Sequence, residues 1–383
     1  SARFGLGAAV VRSSLAGLVA RGRVVEGEFL PQGAGEERGG AEVLRLLRRR
    51  SLAALRAEVE PVPPRDYARF LPRWQQVGGR MRGGDGLLRA IEQLSGVPLP
   101  ASSWETLVLP ARVRDYSPAL LDEALAAGDI LWAGHGATSG DDGWLSFHLA
   151  ETAHLTLPVQ PAAPPSVTED SPLSDRVLDV LAGGGSWFFR SLSDRLGWLD
   201  DEELARALWD LVWSGRVTGD TFAPVRTLLA GGRTAHKRTS TGPRRTRYAG
   251  RRLALGSLGG APTRPSLPSR SGPPHTVGRW SLLPVAEMNP TVRSHAVAEL
   301  LLDRYGVVTR GAALAEEVPG GFASAYRILA AAEEAGRVRR GYFVEGLGAA
   351  QFATTGAVDA LRQSGADRDK DPEVVVLDRK SVV

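Results

Sequence analysis

Five arginines crowd nine consecutive positions of this chain: Arg244, Arg245, Arg247, Arg251 and Arg252. Guanidinium groups at that density bind phosphate through charge-assisted hydrogen bonds and by releasing condensed counterions, whatever bases the polyanion carries. The surroundings sharpen the signal. Between Thr221 and Ala286 there are twelve Arg or Lys residues and not one Asp or Glu. The whole chain is only +4, so outside that stretch 35 basic residues face 43 acidic ones, a net of −8. The positive charge is gathered in one segment, and a polyanion is the ligand it suits. A solubilising linker is the competing reading, because Gly, Ser, Thr and Pro are frequent there and apolar anchors few.

Other candidates lie outside it. Arg310 leads a short helical stretch, and Arg337, Arg339 and Arg340 open a β-type run, positions suited to backbone phosphates or to a protein partner. Trp74 beside Gln75 and Gln76 is a candidate stacking or wedge residue. Arg48-Arg49-Arg50 fits a solvated helix face as well as a phosphate contact. Catalytic patterns are weaker. Asp122-Glu123-Ala124-Leu125 looks like the start of a helicase DEAD-type box, but it falls on a helix, and no G-x-x-x-x-G-K-[ST] loop occurs among only three lysines. The six histidines form no H-x-x-x-H pair; His148 and His154 read as surface or hairpin side chains. Without cysteine, thiolate zinc sites and cysteine nucleophiles are excluded. No catalytic or metal residue is assigned.

Such groups need modules to hold them. At 383 residues and 43% hydrophobic content, the chain has material for two to four domains. No apolar run reaches membrane-spanning length, so a soluble protein without membrane partners, cytoplasmic and nucleoid-associated, is expected. A helix, a glycine and a β-type pair recur four times: around Gly22 before Val24-Val25, Gly128 before Ile130-Leu131, Gly215 before Val217, and Gly336 before Val338. Glycine suits a helix C′ position because it adopts positive φ cheaply. Around the last copy the order is helix, strand, helix, helix, strand, strand, that of a winged helix, whose third helix commonly docks in a DNA groove while the hairpin touches the backbone. The expected fold class is mainly α with small β-hairpins, in tandem winged-helix (helix-turn-helix) modules. The expected divisions are a partial winged helix at 1–40, a helical linker module at 41–100, a winged-helix-like unit at 101–157 and a winged helix at 167–230. A basic flexible linker at 231–277 then tethers a winged helix at 278–366, and a truncated tail occupies 367–383. The chain is expected to be a fragment of something longer.

Several blocks resemble the region that follows the motor core in bacterial large helicase-related (Lhr) proteins, superfamily 2 DNA helicases. They are Arg48 to Arg56, Glu58 to Pro61, Arg69 to Gln75, Glu105 to Val113, Leu208 to Val217, Gly278 to Pro284 and Arg340 to Phe352. The resemblance implies a DNA-repair helicase whose paired RecA-like domains move 3′ to 5′ on single-stranded DNA. ATP and Mg²⁺ would then belong to those motor domains, with no cofactor in this chain. It also implies winged helices followed by a β-barrel, similar to AlkZ-type winged-helix DNA glycosylases, with DNA (single-stranded or tailed duplex), the motor domains and further copies of the chain as partners. The motor is absent from this sequence, which turns from the family pattern at about Val376. The glycosylases' Gln-apolar-Gln/Asp motif occurs at none of the seven glutamines. A DNA-binding and assembly region is thus expected, with a base-excision module or an oligomerisation scaffold as alternatives.

Overall fold

The structure is a computed structural model that describes residues 5, 7–29, 37–57, 60–138, 141–160, 168–197, 200–231, 272–348 and 350–366. At its start, helix α1 (Ala8–Ala20) ends at Gly22, and strand β1 (Val24–Gly27) pairs antiparallel with β2 (Glu37–Gly40). Helix α2 (Ala41–Ala57) follows. The prolines from Pro61 end that run, because a residue before proline is pushed from helical geometry, and Pro64 then opens α3 (Pro64–Trp74) at its first turn.

The next unit joins β3 (Met81–Arg82), α4 (Gly83–Gln93), β4 (Leu99–Pro100) and α5 (Ala101–Ser103), which runs on as a π turn over Trp104–Val108. Then come β5 (Val113–Arg114), α6 (Pro118–Ala127) and the hairpin β6 (Ile130–Ala137) and β7 (Gly143–Leu149). Strands pair in the order β4-β7-β6, and β3 pairs with β5 in parallel. Here α4 and β4, which lie within the stretch expected to be a helical linker, supply the first helix and strand of the winged helix that α6 and the hairpin complete.

After the short α7 (Ala153–Thr156), the following unit runs α8 (Leu173–Ala182), β8 (Trp187–Phe188), α9 (Phe189–Arg195), α10 (Asp201–Trp213), β9 (Val217–Gly219) and α11 (Ala223–Leu229). Asp200 caps α10 by accepting the Glu203 N–H. The partner that completes this sheet comes from far along the chain. Strand β10 (Arg279–Leu282) lies between β8 and β9, so the acid-free segment is an insertion between the two strands of one wing. The expectation of a tether joining two modules is therefore corrected, and the Gly278 to Pro284 block belongs to the earlier module. The physical cause is Trp280. It is fully buried, its ring meets Trp132 and Trp209 edge-on, and its Nε1 donates to the Thr276 carbonyl 3.0 Å away.

The last unit contains α12 (Pro290–Tyr305), β11 (Val307–Val308), α13 (Arg310–Ala315), α14 (Gly321–Glu334), β12 (Arg339–Gly341), β13 (Gln351–Ala353) and α15 (Thr355–Ala366), its strands ordered β11-β13-β12. Helix α3 packs on α12 and α15 of this unit, and Val62 forms a parallel bridge with Val344 in its wing. Two cores result. One is continuous across the α4–β7 and α8–β10 units, with Trp132 set against Phe222 and Trp280. The other gathers Phe70 and Leu71 from α3 with Tyr305, Phe343, Phe352 and Leu361. Among the described residues no helix is long and apolar enough to cross a membrane.

Candidate nucleic-acid interface

Arg244, Arg245, Arg247, Arg251 and Arg252 lie outside the described residues, but both ends of the insertion that carries them are held. Asp220, just after β9, accepts the Arg279 backbone N–H and its guanidinium, both at 2.7 Å. On the return path, Gly272 (φ +73) lies against Phe189 so closely that a Cβ would sit 2.5 Å from the ring, which excludes a larger residue. Helix α11, through which the chain leaves, is fixed by Arg226. Its guanidinium reaches Glu105 at 2.6 Å and Asp122 at 2.7 Å. Burial opposes charge on Arg226, yet the two carboxylates outweigh it and raise its pKa further. Asp122 is likewise partly desolvated, but Arg226 and donors from Phe222 and Thr221 hold it below the usual carboxylate range. Asp122, together with Glu105, is thus the acidic half of an ion-paired clasp between modules, a role that sequence reasoning missed.

In the α4–β7 and α8–β10 units, the helix that a winged helix usually offers to a DNA groove has the wrong charge. On α6 the charged residues are Asp122 and Glu123, and on α10 Asp201, Glu202, Glu203 and Asp210 face a single Arg206. The C-terminal end of α10 is also covered by the neighbouring hairpin: a Cβ on Gly134 would come within 2.2 Å of the Val212 carbonyl oxygen. Carboxylate-rich helices repel a phosphate backbone, so an anionic ligand must be met by other surfaces.

In the last unit the four candidate arginines differ in commitment. Arg340 lies 5.8 Å over the Tyr326 ring and 3.5 Å from the buried carboxylate of Glu333. Arg337 is exposed and reaches Glu299 at 3.4 Å. Arg310, at the start of α13, is exposed, and Arg339 is half-buried; neither has an ion pair among the described residues. Part of this wing is taken by the chain itself, since α2 packs on β12 and Val62 exchanges hydrogen bonds with Phe343 and Glu345. Gln351 organises the turn: its side chain accepts the N–H groups of Phe343 and Val344 and donates to the carbonyls of Val344 and Gly348.

Trp74 is packed rather than presented. Its ring stacks on Phe70 at 5.3 Å, and Nε1 donates to the Asp303 carbonyl at 2.7 Å. Around it, Arg304 ties α12 to α4 by donating to the carbonyls of Gln93 and Ser95, each at 2.9 Å, while pairing with Glu316 at 2.6 Å. Of the two expected placements, surface or hairpin, His148 takes the hairpin: it lies on β7 and is fully buried. Its Nε2 lies 2.7 Å from Ser146 Oγ, and Thr156 rather than His154 meets Nδ1. Among the described residues no three His, Asp or Glu side chains converge as metal ligands would.

Comparison with known proteins agrees with this architecture. The family described as large helicase-related protein, winged-helix domain matches twice, at residues 62–150 and 287–373. A Lhr helicase/probable uracil glycosylase of Mycolicibacterium smegmatis is 50% identical over 368 residues, covering 94% of this chain and 23% of that protein. A Lhr helicase/uracil glycosylase of Escherichia coli strain K12 is 42% identical over 341 residues, covering 84% of this chain and 21% of that protein. The chain therefore spans under a quarter of the length of these relatives.

Proposed function

For a chain of the Lhr type, carrying that family's winged-helix domains in tandem, we propose a nucleic-acid-binding and assembly role within an ATP-dependent DNA-repair helicase, with no catalysis of its own. One observation carries the reading: the acid-free segment is inserted in a wing whose two ends are clamped by Trp280, Asp220 and Arg226. A wing lies where winged helices meet the phosphate backbone, and this one carries the chain's concentrated positive charge. Arg244, Arg245, Arg247, Arg251 and Arg252 are its proposed phosphate ligands, with Arg310 and Arg339 as further contacts from the last module. The partners are DNA with a single-stranded part, the motor domains to which ATP and Mg²⁺ belong, and further copies of the chain; the setting is the nucleoid.

The test is affinity for a 3′-tailed duplex at about 50 and 200 mM salt. A loss of about tenfold or more across that range is expected, since each phosphate contact releases counterions. Absent or salt-insensitive binding removes the reading. The names of the two relatives favour a second one, a base-excision module. Incubation with uracil-containing oligonucleotides at protein excess decides it, because abasic sites would have to appear.

A further inference from the structure

We infer that Arg80, Arg82 and Arg114 form a phosphodiester-docking surface on the α4–β7 winged helix, separate from the acid-free insertion. The inference rests on the nucleic-acid reading above and adds a second place where a strand is held.

The three side chains are brought together by backbone pairing. Met81 pairs with Val113 and Arg82 with Arg114 in the parallel register of β3 and β5. Neighbouring strands run about 4.8 Å apart, so Arg82 and Arg114 leave the ribbon side by side. Arg80 stands immediately before β3, two residues from Arg82 in the chain. The approach is rigid, because the Gly78 and Gly79 N–H groups both donate to the Ala111 carbonyl, at 2.8 and 3.0 Å, and Met81 N–H reaches Arg112 O. Beneath, the buried Arg112 adds a fourth guanidinium, committed to Val108 O and Gln75 Oε1.

All three surface arginines are exposed, and none of their side chains makes a hydrogen bond or ion pair among the described residues. By contrast, Arg38, Arg89, Arg190, Arg226, Arg279 and Arg304 each meet a carboxylate within 2.7 Å. Like charges held opposite each other on adjacent strands oppose folding. The fold bears that repulsion here and gains no contact from it, the pattern of a surface kept for an external anion.

The adjoining backbone fits the same ligand. Arg82 leads straight into α4 with no side chain capping the helix, so first-turn N–H groups keep no helical partner. Gly83 and Gly84 leave open space where side chains would otherwise stand, which lets a phosphate oxygen come close. Asp85 is the nearby carboxylate on α4, and it lines a groove with Leu88, Arg89 and Glu92. Neither it nor Asp115 pairs with the three arginines. Guanidinium and backbone N–H groups recognise phosphate and not base, so the ligand class is a nucleic-acid strand of any sequence.

The test is a chain bearing Arg80→Gln, Arg82→Gln and Arg114→Gln with the insertion intact, titrated against a labelled single-stranded oligonucleotide across a salt series. Affinity should fall about tenfold or more, and the slope of log affinity against log salt by about 2, at roughly 0.7 per single-strand phosphate. A triple Lys variant at the same positions should restore most of the binding and guards against loss of folding. A control chain with Arg195→Gln, Arg206→Gln and Arg362→Gln, all exposed positions, should bind as the unaltered protein does. The surface alone is refuted if the unaltered chain binds and the triple Gln variant keeps its slope, or if the control loses as much. No salt-dependent binding by the unaltered chain overturns both this surface and the nucleic-acid reading.

Discussion

Ser146 lies between two imidazoles, 2.7 Å from His135 Nε2 and 2.7 Å from His148 Nε2. Burial, and then the proximity of His135, push the His148 pKa from 6.5 down to about 3. The folded chain therefore keeps His148 neutral where the unfolded chain accepts a proton. Stability is complete above about pH 6.5 and falls as the pH drops toward 3. The loss is on the order of a few kcal/mol across the window for a group this buried. Urea unfolding at about pH 7.5 and pH 5 should show it, and His148→Gln, which keeps a hydrogen-bonding amide, should flatten the dependence. An unchanged dependence in that variant assigns it to other groups. Residue identities were legible in the sequence, but their commitments were not. Trp74 and Arg340 have the chemistry of nucleic-acid contacts, yet their atoms are engaged by Phe70, Asp303 and Glu333, residues whose proximity depends on the tertiary fold.

The β6–β7 hairpin can lie on α10 only because it lacks side chains where the two meet. A Cβ on Gly134 would stand 2.2 Å from Val212 O, and one on Gly143 2.5 Å from the Trp213 ring. The backbone contact cannot yield locally, so Gly134→Ala must push the hairpin away from α10 and open the shared core. A loss of about 3 kcal/mol is expected, at the upper end for overpacking. Thermal and urea midpoints measure it. Gly356→Ala serves as comparison, since its added Cβ would meet nothing within 4 Å on α15 and should be neutral or stabilising. Equal losses in both variants would dismiss the backbone-contact explanation. Elements built from local signals were readable: Gly22, Gly128, Gly215 and Gly336 all take positive φ, between +65° and +81°. Strand β10 was not. Its sequence reads as β, but its partners are Val217 to Gly219 and Trp187-Phe188, far upstream, and nothing local names them. Pairing across so long a loop is decided by where Trp280 can be buried.

At the scale of the whole molecule, the inserted segment returns to the wing from which it departs. Helix α11 packs on the turn at Pro274–Thr276, so the points of exit and return are neighbours. The last module is then placed by other means: Arg304 and Asp303 contact α4, Trp74 bonds α12, and Ala286 packs with Ala133 and Leu157. Replacing residues 232–271 with a short Gly-Ser connector tests this division of labour. Closing a shorter loop lowers the entropic cost of pairing β9 with β10 by about 1 kcal/mol, so the wing should form at least as well. Unfolding midpoint and near-ultraviolet circular dichroism are expected to be retained, because Trp132, Trp209 and Trp280 keep their edge-on packing. Affinity for single-stranded DNA should fall tenfold or more at low salt, while the binding that remains, held by Arg80, Arg82 and Arg114, keeps a shallower salt dependence. A chain that loses its tryptophan signature would show that the segment is needed to assemble the wing. One that keeps full affinity would mean that the chain's densest positive charge takes no part in holding DNA.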